Sequence, residues 1–201
     1  AASDVYKRQG LRKPLRGAVE IAGVNVSGRG AGAVRALGVG FILDRPFEYG
    51  CSLDQSILEN IAVVCSSGNG LLLKWSRLRS LAKRLIEEYQ VVATSEDVSM
   101  KVLSGGNIMK VVVSKEIDFA SSAIVAYNPT RALDEASASY VRRKIRSRVE
   151  SDKLAALIAS EDLDELMMIS DAIYVANNGK LYGPLDPEST PRDEVERLMV
   201  M

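Results

Sequence analysis

An α/β fold with a mainly parallel sheet is what this sequence predicts, and three observations predict it. The apolar runs Val39-Gly40-Phe41-Ile42-Leu43, Ser122-Ala123-Ile124-Val125-Ala126 and Leu154-Ala155-Ala156-Leu157-Ile158 read as short buried strands. Segments with helical spacing of apolar residues separate them. A chain of 201 residues, 47% hydrophobic and 26% charged, can bury one sizeable core.

Taken in order, the chain opens with Asp4-Val5-Tyr6-Lys7-Arg8-Gln9, the in-frame translation expected of a transposon-end adapter used in DNA library preparation. Residues up to about Gln9 are therefore expected to be a sequencing artefact, with the gene cut there, and long-read resequencing of the locus decides it. Leu11 to Gly17 is basic, carries Pro14 and reads as a connector. Ala18 to Ile21, Gly23 and Val24 to Val26 predict strand, turn and strand. A weak helix from Arg29 to Leu37 precedes the Val39 strand, which ends at Asp44-Arg45-Pro46.

Ser52 with Gln55 predicts a capping box opening a helix through Ile57, Leu58 and Ile61. Gly68-Asn69-Gly70 predicts a loop, and Trp75, Leu78, Leu81, Leu85, Ile86 and Tyr89 then recur at helical spacing. Asp134 starts a helix reaching about Val149, whose basic run Arg142, Arg143, Lys144, Arg146 and Arg148 reads as a solvated face and a complement to the C-terminal dipole. Ser160 to Glu165 opens another helix with acids in its first turn. Asn178-Gly179, between Ala172–Ala176 and Lys180–Tyr182, is the strongest short hairpin signal, and Asp193 to Met199 predicts a closing helix.

Composition narrows the function. Lys plus Arg equals Asp plus Glu at 26 each, so no charge excess attracts nucleic acid or an anionic membrane. Cys51 and Cys65 give no disulfide framework or zinc spacing, and the absence of His removes the usual metal ligand and general base. A soluble protein of a reducing cytoplasm is expected, for no apolar run approaches the roughly 20 residues that span a bilayer.

The chemistry concentrates at Leu103-Ser104-Gly105-Gly106-Asn107, followed after Ile108-Met109 by Lys110 and Val111-Val112-Val113. A serine and two glycines opening a helix present free N–H groups and a hydroxyl suited to an anion. Alone, Ser-Gly-Gly is most often a turn with an N-cap, Pro-Thr-Arg a loop and Asp134 a cap. Order and spacing raise the reading: Asp44-Arg45, Asn60, LSGGN at 103–107, PTRALD at 129–134, then Ser160-Glu161-Asp162-Leu163-Asp164-Glu165 and Ser170-Asp171.

Together these resemble an ABC-type ATPase over nearly the whole chain, and within that family the second nucleotide-binding half of simple-sugar or nucleoside importer ATPases, where LSGGN replaces LSGGQ. The resemblance implies an ABC-type P-loop NTPase fold with a mainly parallel sheet, antiparallel strands and a helical signature subdomain at about 50–118, residues 11–201 forming a partial nucleotide-binding domain. It also implies roles. A phosphate cradle GxxxxGK[ST] is absent, the only Gly-Lys pair being Gly179-Lys180 in the hairpin. The family would carry that cradle just upstream of Gly10, so N-terminal truncation is expected.

Asp44 stands at the Q-loop position, where Gln or Glu reaches the metal and the attacking water. Tyr127 and Asn128 stand where an Asp-Glu pair ends the Walker B strand. A phenol is a poor Mg²⁺ ligand at neutral pH, and an amide is no general base. Ser160 stands where the family has a switch His, so Asp44, Asn128 and Ser160 make a degenerate catalytic set with no metal held. Ser104, Gly105, Gly106, Asn107 and Asp134, the signature and D-loop, are expected to face the ATP of a partner domain packed head to tail.

ATP and Mg²⁺ are then cofactors of the full assembly, neither held firmly by these residues. The implied partners are the other nucleotide-binding half, membrane permease subunits and, indirectly, a substrate-binding protein, with no nucleic acid, at the cytoplasmic face of the plasma membrane. Two other classes compete. An ABC-fold ATPase of DNA repair or chromosome organisation would show a complete Walker B acid pair and a long heptad insertion. A non-catalytic regulatory module predicts no effect of Ser104 substitution on a partner.

Overall fold

Residues 14, 16–65 and 73–201 are described in the computed structural model. The N-terminal segment at 1–10, most of the expected connector from Leu11 to Gly17, and the loop at Gly68-Asn69-Gly70 lie outside the described residues. The chain divides into two compact units, residues up to 159 and residues 160–201.

The first unit begins with β1 (Glu20–Ile21) and β2 (Val24–Asn25), an antiparallel pair with Glu20 opposite Asn25. The two residues of the turn, Ala22 and Gly23, both have positive φ (49° and 75°), the backbone that a two-residue hairpin demands. After α1 (Ala31–Arg35) comes β3 (Val39–Ile42), and β4 (Ala123–Tyr127) and β5 (Ala155–Ala159) complete a parallel sheet in the order β3-β4-β5. Val39 faces Ala123, and Ala123 faces Ala155.

Sidedness along β3 divides the apolar residues between two cores. Val39 and Phe41 join Val26, Val34 and Val125 on one face. Ile42, Ile124 and Ala126 join the larger core on the other, with α2 (Ile57–Cys65), α3 (Trp75–Glu88) and α4 (Gly105–Phe119). Ile42, Ile57, Ile61, Met109, Ile117 and Ile124 are fully enclosed there, each worth about 1.5–3 kcal/mol relative to exposure. Helix α4 crosses β3 at Gly40, where an added Cβ would lie 2.4 Å from the carbonyl oxygen of Glu116. Only glycine allows that approach.

Three expectations are corrected. The capping box of α2 lies one turn later than Ser52 and Gln55: Glu59 N–H donates to Ser56 Oγ (3.1 Å), and Ser56 N–H and O–H both donate to Glu59 Oε2 (2.8 Å each). An ionised carboxylate accepts two donors more strongly than an amide does, and Ser52 is instead bridged through its backbone to Asn60. Strand β5 is less buried than expected: among the described residues it pairs with β4 alone, and Ala155 and Ala156 are exposed. The basic run of α5 (Glu135–Asp152) is ion-paired rather than merely solvated, Lys144 with Glu88 of α3, Arg142 with Glu135, Arg146 with Glu150 and Arg148 with Asp152.

In the second unit, Asp162 caps α6 (Leu163–Ile169) by accepting Glu165 N–H at 3.1 Å. Strands β6 (Ile173–Asn177) and β7 (Lys180–Leu185) form the expected hairpin, with positive φ at both Asn178 and Gly179. With α7 (Arg192–Val200) they bury Leu163, Ile173, Val175 and Val195.

Candidate functional site

Ser104 is the N-cap of α4, with extended backbone (φ −65°, ψ 156°), and its hydroxyl accepts Asn107 N–H at 3.4 Å and Asn107 Nδ2–H at 2.9 Å. Asn107 Oδ1 in turn accepts Val92 N–H at 2.8 Å. The asparagine thus braces the serine and ties the signature turn to the segment after α3. Ser104 and Gly105 are exposed, and at the first turn of a 15-residue helix the N–H groups of Gly105 and Gly106 have no intrahelical acceptor. Their field favours an anion.

The fold brings the loop at 129–134 against this turn. A Cβ on Gly106 would lie 3.3 Å from the carbonyl oxygen of Ala132, whose own φ is 65°. Asp134 caps α5, its Oδ1 accepting Ser137 N–H (2.9 Å) and its Oδ2 accepting the Ser137 hydroxyl (2.7 Å). The Ser137 hydroxyl and N–H hold the Asp134 carboxyl below its ordinary range. Lys110 Nζ lies 4.0 Å from Asp134 Oδ2 and donates to Gln90 O at 3.2 Å, joining α4 to the D-loop.

Asp44 and Asn128 meet as well. Both follow the carboxyl ends of neighbouring parallel strands, where open α/β sheets place ligands. They line one pocket of about 390 Å³ together with Arg45, Phe47, Glu48, Met109, Tyr127, Arg131 and Ala132. Asn128 takes a positive φ of 44°, and its N–H donates to Ala159 O at 2.8 Å. One oxygen of Asp44 is enclosed and accepts no hydrogen bond from the described residues. Arg45 pairs with Glu48 at 3.2 Å, and Arg131 adds a second guanidinium group to the lining.

Ser160 belongs to the second unit. Its hydroxyl donates to Glu165 Oε2 at 2.7 Å and accepts Asp162 N–H at 3.1 Å, inside the first turn of α6.

Sequence reasoning missed Met109, Glu48 and the parts of Arg45 and Arg131 in this pocket. It also missed Lys115 and Glu116, buried on α4. A signal was present, since two charges between Val113 and Ile117 interrupt an apolar helix face. Among the described residues no helix is long and apolar enough to cross a membrane, and no group of three His, Cys, Asp or Glu converges as metal ligands.

No family model matches the chain. It is 30% identical over 196 residues to the nucleoside import ATP-binding protein NupA of Lactococcus lactis, covering 95% of this chain and 38% of that protein. Similarity to the guanosine import ATP-binding protein NupO of Bacillus subtilis is 31% over 195 residues, covering 94% and 38%. A ribose import ATP-binding protein RbsA of Streptomyces avermitilis is 28% identical over 187 residues. The chain thus spans under two fifths of the length of these curated relatives.

Among solved structures, the dimeric post-hydrolysis state of the ATP-binding cassette MJ0796 bound to ADP and Pi superposes with a TM-score of 0.80 at 16% identity, over 92% of this chain and 80% of that one. A nucleotide-free ATP-binding cassette from an ABC transporter gives 0.71 at 15% identity over 100% and 79%. The chain has the fold of these ATP-binding cassettes, and the relatives its sequence resembles are import ATP-binding proteins for nucleosides and sugars.

Proposed function

We propose that this chain is the second nucleotide-binding half of an ABC importer ATPase that couples ATP to uptake of a nucleoside or sugar, and that it serves its partner's site rather than its own. One contrast carries the reading. The signature turn at Ser104, Gly105 and Gly106 is intact, with Ser104 and Gly105 exposed, while β4 ends in Tyr127 followed by Asn128.

Phosphoryl transfer needs a cradle, a Mg²⁺ ligand, a group that orients water and donors at the γ-phosphate. The signature turn can supply the last, through two backbone N–H groups, a hydroxyl and the field of α4. The pocket at Asp44 does not fit Mg²⁺, because Glu48 is paired with Arg45, Arg131 adds a second cation to the lining, and the groups ending β4 are a phenol and an amide, which among the described residues leaves Asp44 as its one unpaired carboxylate. No step is therefore assigned to a metal at this chain's own site. Asn128 cannot take a proton from water, and Ser160 cannot become cationic as imidazole does.

ATP and Mg²⁺ are accordingly cofactors of the assembled protein, held at the partner domain's site. The partners are that other nucleotide-binding half, permease subunits and a substrate-binding protein, which places the chain peripherally at the cytoplasmic face of the membrane. Asp134 and the signature turn would lie on the surface facing the partner's ATP, with Asn107 holding Ser104 in place.

Ser104→Arg in the full-length protein tests the reading, since it puts a bulky cation where the γ-phosphate side must close. ATP turnover is expected to fall to background. An unchanged rate refutes the assignment.

A further inference from the structure

Two charges on α4 are left without a role by the reading above. Lys115 and Glu116 are 4% and 3% exposed and reach in different directions. Lys115 Nζ donates to the carbonyl oxygen of Gly50 at 2.6 Å. Glu116 Oε2 accepts Phe41 N–H at 2.8 Å, and Oε1 accepts from Arg35 Nη2 at 3.2 Å. Arg35 lies over the rings of Phe41 and Phe119, its Cζ 4.8 and 5.2 Å from their centres.

Phe41 and Gly50 stand on either side of Asp44. Strand β3 leads into the Asp44-Arg45 loop, and a single wide helical turn, Pro46–Gly50, leads out of it. Backbone packing follows the same two contacts, with Gly40 against the Glu116 carbonyl and a Cβ on Gly50 only 3.2 Å from the Val112 side chain. Burying an ammonium and a carboxylate is costly, and apolar residues would hold a helix to a sheet as well or better. What apolar residues cannot do is grip a chosen carbonyl and a chosen N–H.

We infer that Lys115 and Glu116 are positioning residues, fastening both ends of the Asp44-Arg45 loop to the helix that begins at Ser104. The signature turn and the loop then move as one body, and a group closing on Ser104 is felt at Asp44. This second clause rests on the proposed function; the fastening itself does not.

Cys51 is a native reporter. It follows Gly50 directly, its thiol donates to Pro46 O at 3.5 Å, and burial pushes its pKa up, so alkylation is slow while the turn is held. Cys65, exposed on α2, serves as the internal control. Lys115→Met in the full-length protein is predicted to raise the ratio of Cys51 to Cys65 iodoacetamide labelling roughly fivefold or more through local opening, read by peptide mass spectrometry with the melting curve unchanged; losing the Lys115 cation by itself raises the pKa of both thiols and slows their labelling. Lys115→Arg should restore most of the protection. Should Lys115→Met not fold, Lys115→Gln, too short to reach Gly50, is read the same way. An unchanged ratio of Cys51 to Cys65 labelling overturns the fastening.

A second arm adds ADP and vanadate. Labelling of Cys51 should slow in the wild type, and not in Ser104→Arg or Lys115→Met. A wild type indifferent to vanadate, with Lys115→Met still labelling faster, overturns the service to a partner site and leaves the fastening standing.

Discussion

Glu116→Met removes a buried carboxylate at nearly constant volume, and its cost can be worked from its contacts. Two groups lose their acceptor: the Arg35 guanidinium, whose side chain is 21% exposed, and the enclosed Phe41 N–H. Breaking a buried ion pair on one side costs about 3–5 kcal/mol, and an orphaned buried N–H about 1–3. Partial exposure of Arg35 lets water relieve part of the first cost, so the variant is expected to lose about 3–4 kcal/mol. For a chain of this size that is a drop of roughly 6–16 °C in melting temperature.

Urea denaturation of the purified chain followed by far-UV circular dichroism reads the loss. The double variant Arg35→Met, Glu116→Met should be more stable than Glu116→Met alone, because the uncompensated cation is gone. A single variant within about 1 kcal/mol of wild type, or strict additivity in the double, would show that the pair does not hold β3 to α4.

Two further outcomes test the local architecture. Ser56→Ala should cost about 1 kcal/mol by breaking the reciprocal cap with Glu59, whereas Ser52→Ala should stay within about 0.5 kcal/mol because only its backbone is used; thermal melts of both variants decide between the two cap positions. The Ser56 N–H and hydroxyl hold the Glu59 carboxyl below its ordinary 4.5, so its contribution is present above pH 4.5 and lost as pH falls through the lowered value. Stability profiles of wild type and Glu59→Gln should therefore converge at acid pH and separate above it; parallel curves across the range would contradict this.

What could be read in the sequence was what local chemistry decides. The strand at Val39, the amphipathic helix from Trp75, the N-cap at Ser104 and the Asn178-Gly179 hairpin are each specified by neighbouring residues, and each forms where expected. The capping box was misplaced because Ser52-Leu53-Asp54-Gln55 and Ser56-Ile57-Leu58-Glu59 both fit the pattern, and only the carboxylate and the start of the apolar face choose between them. Strand β5 reads as buried by composition, yet exposure depends on which strands flank it, and among the described residues only β4 does, which pattern alone does not encode. The buried Lys115 and Glu116 depend on contacts across 65 to 81 residues, and the Asp44 pocket on residues as far apart in sequence, invisible to any local window. The motifs were thus legible as a set, while the bonds that hold them together were not.

Trapping the full-length protein with ADP and vanadate, irradiating it and mapping the cleaved peptides tests the central claim most directly, because vanadate cuts the chain beside the γ-phosphate position it occupies. Cleavage at Ser104 is the predicted result. Cleavage elsewhere, with the peptide spanning Ser104 intact, would contradict a signature turn that completes a neighbour's site.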